Sequence, residues 1–160
     1  MMMSDNDPLS PPSLAHFADV AVDVGQPLVL GRGAQGLRRV VPILGGTARG
    51  DGWTARVLPG GADFQLFASE GCSVLDARYG METDAGDLIY VQNHAVRAAA
   101  PEVMARLMCG EPVQPSEVYF RCTPSFETDS PALRWITERL FVGSGVRHPA
   151  QVAMRFFVLT

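Results

Sequence analysis

Three stretches of this sequence set charged and hydrogen-bonding side chains at alternate positions within runs that otherwise read as strands. In DFQLFA at 63–68, Asp63 and Gln65 share one parity, and Phe64 and Leu66 share the other. In SVLDARYGM at 73–81, Asp76 and Arg78 oppose Leu75, Ala77 and Tyr79, and in EVYFRCT at 117–123, Tyr119 and Arg121 oppose Val118 and Phe120. Successive side chains of a strand point to opposite faces, so each stretch has one apolar and one polar side. The ordinary reading puts the polar side in solvent and the apolar side in a core. The sharper reading turns some polar groups into a small barrel, where they hold a ligand. Arg78 and Arg121 would then clamp a carboxylate or enolate through paired hydrogen bonds. Asp63 would move a proton, given a pKa raised by burial.

Other reactive side chains are scattered. His16, His94 and His148 have no metal-ligand spacing. Cys72, Cys109 and Cys122 form neither a CxxC site nor a disulfide framework, and Cys72 and Cys122 read as packing residues. The glycine-rich GRGAQG at 31–36 has no helical pattern after it and reads as a loop. All thirteen basic residues are arginine, which excludes Schiff-base chemistry through a lysine. No metal and no cofactor is expected.

The elements that must carry these residues are mostly strands. LAHFADVAVDV at 14–24 alternates, LRRVVPIL at 37–44 is an edge or bent strand because of Pro42, and Gly45-Gly46 marks a corner or bulge. WTARVL at 53–58, a Pro-Gly-Gly turn and residues 63–68 read as a hairpin. Strands over 72–83, 87–96 and 117–123 follow, and residues 140–146 and 151–159 read as a closing hairpin. Residues 97–112 suit a short helix or a mobile insert, and Ser130-Pro131 opens a brief helix to Arg139 that carries Trp135 as a core plug or a ligand shelf. The expectation is a disordered leader over 1–12 and, over 13–160, a single antiparallel β-barrel of about eight to nine strands with one or two short helices.

Composition narrows the function. A chain of 160 residues with 47% hydrophobic and 19% charged residues can bury a core, and a net charge of −4 argues against a nucleic-acid partner. No run approaches the roughly twenty apolar residues of a membrane helix, and no segment has the form of a signal peptide. A soluble, cytoplasmic protein is expected.

Four blocks carry a family resemblance: RRVVPILGGTARG at 38–50, VLPGGADFQLF at 57–67, LDARYGMETDAGDLIYV at 75–91 and YFRCTPSFETDSPALRWITERLFVGSG at 119–145. Together they resemble domain of unknown function 3237 (DUF3237, UPF0311) from about Leu14 to the C-terminus. The resemblance implies a compact antiparallel barrel, allene-oxide-cyclase- or calycin-like in general shape, and brings no established reaction. It puts recurrent polar positions on Arg39, Asp63, Gln65, Asp76, Arg78, Tyr79, Thr83, Tyr119, Arg121, Glu127 and Thr128. The family's usual Trp-Leu-Asn reads Trp135-Ile136-Thr137 here, so no asparagine role carries over.

The leading expectation is a binder of a small acidic or oxygenated metabolite, or a metal-independent enzyme acting on it by isomerisation, cyclisation or lactone or ester chemistry. Asp63 or Glu127 would transfer the proton, with Arg39, Gln65, Asp76, Arg78, Tyr79, Tyr119, Arg121 and Trp135 holding the substrate. The alternatives are a carrier with an uncharged apolar cup, and a pocketless homodimer seamed along 53–67 and 151–159.

Overall fold

The computed structural model describes residues 7–160. The proposed leader over 1–12 falls partly outside these residues; Pro8–Ser10 form a turn held by the Asp7 side chain, which accepts from the Leu9 amide. Beyond it the alternating runs form strands: β1 (Leu14–Val24), β2 (Leu28–Gly33), β3 (Gly36–Gly50), β4 (Trp53–Val57), β5 (Ala62–Ser69), β6 (Cys72–Thr83), β7 (Leu88–Ala99), β8 (Val118–Glu127), β9 (Phe141–Arg147) and β10 (Gln151–Leu159). Every pairing is antiparallel.

These strands make a closed barrel of eight staves. The order runs β1-β10-β9-β8-β7-β6, then β5 and β4 end to end, then β3, which closes on β1. Strand β3 is the seam. Its first half pairs with β5 on one edge and β2 on the other; its second half pairs with β4 and β1. Pro42 lies where β3 changes partners, so its missing N–H leaves no gap in a ladder, while its carbonyl accepts from Gly25. Gly46, with φ of +137°, lies there too, against β1.

Three local expectations change. Pro42 belongs to a fifteen-residue strand inside the barrel wall rather than to an edge, for the reason just given. The stretch 31–36 is not all loop: Gly31–Gly33 end β2, Gly36 opens β3, and Ala34 and Gln35 turn the hairpin between them. Residues 53–68 are not a hairpin: β4 and β5 never pair with each other but both fill the gap between β3 and β6, and Gly60 and Gly61 bond to Ile43 of β3 instead.

The two barrel ends differ. At one, Phe17, Phe126, Phe141, Trp53 and Trp135 interlock, with Phe17–Phe141 and Phe126–Phe141 ring centroids both 4.9 Å apart. Trp135 reaches this cluster from a 3₁₀ helix, Pro131–Glu138, whose Ile136 is buried; the Ser130 hydroxyl makes no cap bond. At the other end, residues 97–99 extend β7, and helix α1 (Pro101–Met108) follows. It seats Met104 and Leu107 on Phe67, and Gly110 at φ of +77° ends the turn after it.

A Cβ on Gly46 would stand 2.1 Å from the Ala21 carbonyl oxygen, at a backbone angle that side chains rarely adopt. Gly46→Ala is therefore expected to cost about 3 kcal/mol. Thermal melts should show a midpoint roughly 6–12 °C lower.

Candidate functional site

Register decides which polar parities face inward. Asp63 pairs with Ala77, and Phe64 pairs with Asp76. Directly paired residues project to the same side of a sheet, so Asp63 and Asp76 go to opposite faces. Closure turns the Asp63 face inward. Successive rungs along β3-β5-β6-β7 then read Leu37-Phe67-Ser73-Arg97, Arg39-Gln65-Leu75-Ala95 and Val41-Asp63-Ala77-Asn93. Tyr79 follows one rung deeper, beside Val91. One wall of the lumen is polar. The wall from β1 and β10 is apolar, with Val22, Val24, Val152 and Met154.

The polar wall is wired through Gln65. Arg39 donates to Gln65 Oε1 from Nε at 3.2 Å and from Nη2 at 2.9 Å. Gln65 Nε2 donates to Asp63 Oδ2 at 2.8 Å. The amide thus relays the guanidinium's polarisation onto the carboxylate. Burial pushes the Asp63 carboxyl above the usual carboxylate range, and the Gln65 hydrogen bond and the charges of Arg97 and Arg147 oppose that rise.

Arg97 and Arg147 complete the site. Arg97 is 2% exposed, and burial pulls its guanidinium down to about 10. Its head lies 5.8 Å from the Phe120 ring centroid. Arg147, half-buried at the end of β9, donates to the His148 carbonyl, and burial lowers its pKa as well. Neither they nor Arg39 form an ion pair with Asp63. Four buried atoms have no hydrogen-bond partner among the described residues: Asp63 Oδ1, Tyr79 Oη, Asn93 Oδ1 and Arg97 Nε. All four side chains line one cavity of about 40 Å³. Asn93 spends its amide N–H on Met154 Sδ, 3.3 Å away. Neighbouring Cys122 is held as a thiol, its pKa pushed up to about 11 by burial.

The expected site residues therefore divide. Asp63, Gln65 and Tyr79 line the lumen cavity, and Arg39 is buried behind them on Gln65. Asp76 and Arg78 pair on the outer face, 3.0 Å apart, with Gln92 and His94 nearby. Tyr119 and Arg121 stack on each other outside, and Glu127 is exposed at the end of β8. Trp135 sits at the aromatic end, away from the charges. The placement of Arg78 and Arg121 separates them from the lumen, so they cannot clamp anything there together with Asp63.

Sequence reasoning missed Arg97, Arg147 and Asn93. The signal was present for each. Asn93 and Arg97 continue the Ile89-Val91-Ala95 parity of β7, and Arg147 continues the Phe141-Gly143-Gly145 parity of β9. Both strands run past the ends that the sequence suggested. No group of three or more His, Cys, Asp or Glu among the described residues could hold a metal ion, and no helix is long and apolar enough to cross a membrane.

Residues 12–159 match the family model described as "Protein of unknown function (DUF3237)". The chain belongs to the DUF3237 family. A UPF0311 protein of Rhodopseudomonas palustris (strain TIE-1) is 41% identical over 135 residues, covering 84% of this chain and 88% of the relative. A UPF0311 protein of Clostridium acetobutylicum is 34% identical over 142 residues, covering 88% and 90%. Among solved structures, a conserved protein of unknown function from Rhodopseudomonas palustris superposes with a TM-score of 0.89 at 36% identity, covering 94% of this chain and 99% of that one. A β-barrel-like protein from Acinetobacter baumannii gives 0.83 at 36%, covering 98% and 100%. A Penicillium herquei protein described as an enzyme shares the fold, with a TM-score of 0.70 at 15% identity over 97% of this chain and 99% of that one.

Asp63 gives a pH test of this DUF3237 barrel. Its folded pKa lies above the unfolded value of 3.8. Between the two the folded state holds the extra proton, so its stability falls as pH rises through the folded pKa. Asp63→Asn should flatten that fall. Urea denaturation of both proteins between about pH 4 and pH 8 checks it, and parallel curves would contradict it.

Proposed function

We propose that the lumen binds a small oxygenated acid through Arg97, Arg147 and Arg39, with Asp63 beside it to exchange a proton. The supporting observation is uncompensated charge: the buried Arg97 and half-buried Arg147 line the cavity with a single carboxylate, Arg39 stands behind Gln65, and none of the three is ion-paired to that carboxylate. Waters in the cavity could satisfy the four unpartnered atoms. They could not neutralise the excess positive charge, and burying an uncompensated charge costs several kcal/mol. An anion that forks onto the guanidiniums offsets that cost.

The chemistry this supports is proton transfer at a bound carboxylate, enolate or phenolate. The neutral form of Asp63 would donate and the ionised form accept, and the raised pKa brings both forms nearer to neutral pH. Tyr79 and Asn93 offer uncharged hydrogen-bonding groups deeper in, suited to a second oxygen of the ligand. Isomerisation, cyclisation and lactone or ester chemistry are all compatible with that set. The apolar-carrier reading requires an uncharged interior and fits this lumen poorly. A filled, pocketless barrel is favoured by the small cavity, and the two readings predict opposite results below.

Arg97 is costly in the free protein if it serves a ligand. Arg97→Gln should therefore raise the melting temperature of the free protein by a few degrees, as expected for relief of about 1 kcal/mol or more. Added small carboxylates should raise the wild-type midpoint by several degrees near 100 Kd, equivalent to about 2.7 kcal/mol. Arg97→Gln and Arg147→Gln should abolish that rise, whereas Arg78→Ala and Arg121→Ala should keep it. A destabilised Arg97→Gln together with no response to any acid would favour the filled barrel.

A further inference from the structure

The cavity poses a steric problem. About 40 Å³ is open in the lumen, and one water needs roughly 10–15 Å³. The lumen as folded takes a few waters and nothing the size of a metabolite, so some side chain must yield. We infer that Phe120 is the movable partition that sets the length of acid the lumen admits; the inference rests on the lumen being the anion site.

Three observations point to this residue. First, a second cavity of about 20 Å³ lies under Leu107 of α1 and Val113, and it shares Phe120 and Arg147 with the lumen as common walls. Removing the ring from between them joins the two spaces. Second, β8 and β9 pair only at Arg121–Ser144 and Cys122–Gly143. From there toward Phe120 and Arg147, as toward Pro124 and Phe141, no ladder pairs hold the seam, so the barrel wall beside the ring is sparsely bonded. Third, the ring packs on a residue with no side chain: a Cβ on Gly145 would stand 2.9–3.0 Å from three Phe120 ring carbons. The ring therefore occupies the space that any side chain at position 145 would need.

The ring is also tied to the charge. Arg97 sits over Phe120 in a cation–π contact. An anion that draws the Arg97 head toward itself loosens this contact, so ligand capture and ring release favour each other. Phe120 contacts the ligand path but supplies no proton or charge; it determines specificity rather than catalysis.

Isothermal titration of straight-chain monocarboxylates, acetate through octanoate, tests the partition. The wild type should bind short acids and show a sharp cut-off in chain length. Phe120→Ala should move the cut-off several carbons longer and bind the longer acids at least 10-fold tighter than the wild type does. Phe120→Leu, which keeps an apolar branched side chain without the ring, carries the same prediction should the alanine variant fail to fold. Gly145→Ala, whose methyl group must push the ring into the lumen, should weaken every acid at least 10-fold. Arg97→Gln should remove binding at all lengths. Equal affinity of the wild type for all lengths overturns the partition. So does a cut-off unchanged by the Phe120 and Gly145 variants; either result leaves the lumen reading intact, provided Arg97→Gln abolishes binding. Binding that survives Arg97→Gln, or no binding by any of these proteins, overturns both.

Discussion

Closure of the sheet between β1 and β3 determines which side chains of this protein lose water. The closure depends on β3 exchanging both neighbours within a few residues of Pro42. A proline can lie there because no ladder requires its N–H, and Gly46 can lie there because β1 approaches its backbone too closely for a Cβ. Once the seam is shut, register propagates around the barrel. Asp63 opposite Ala77 is inside, and Asp76 opposite Phe64 is outside. The interior charge and the exterior ion pairs both follow from that one seam.

Inside, electrostatics and packing pull in different directions. Apolar side chains from β1 and β10 and the aromatic end build an ordinary core. The wall across from them carries Arg39, Gln65, Asp63 and Arg97 in a low-dielectric setting where every unbalanced charge is expensive. Gln65 softens part of this cost by accepting from Arg39 and donating to Asp63. Arg97 has no comparable partner: its guanidinium lies over the Phe120 ring, with Nε left unsatisfied. Under the proposed anion-binding reading, a bound acid would supply the missing partner and stabilise the fold.

The two barrel ends suit this division. Five interlocked aromatic rings close one end. The other end is covered by a short helix resting on a small separate cluster around Phe67, Met104 and Leu107. Local opening starts where few apolar contacts must be broken. The charged half of the lumen lies toward that weaker end, and the sparsely paired β8–β9 seam is beside it.

By itself, the alternation of residues determined that the chain is mostly antiparallel strand and that β5, β6 and β8 each have a polar and an apolar side. It also marked the corner or bulge at Gly45-Gly46, because glycine chemistry is local. Asp63 and Gln65 were legible as candidates together with Asp76, Arg78, Tyr119 and Arg121, which alternation presents in the same way, and the family resemblance added Arg39 and Tyr79. Only the tertiary structure separated the two groups. Alternation fixes which residues share a face but not which face closes inward; cross-strand register sets that, and register depends on contacts far apart in the chain. For the same reason β4 and β5 resemble a hairpin in sequence, yet lie end to end between two strands whose spacing no local pattern encodes. Arg97 and Arg147 became site residues only when β7 and β9 were seen to run past their apolar stretches into the lumen.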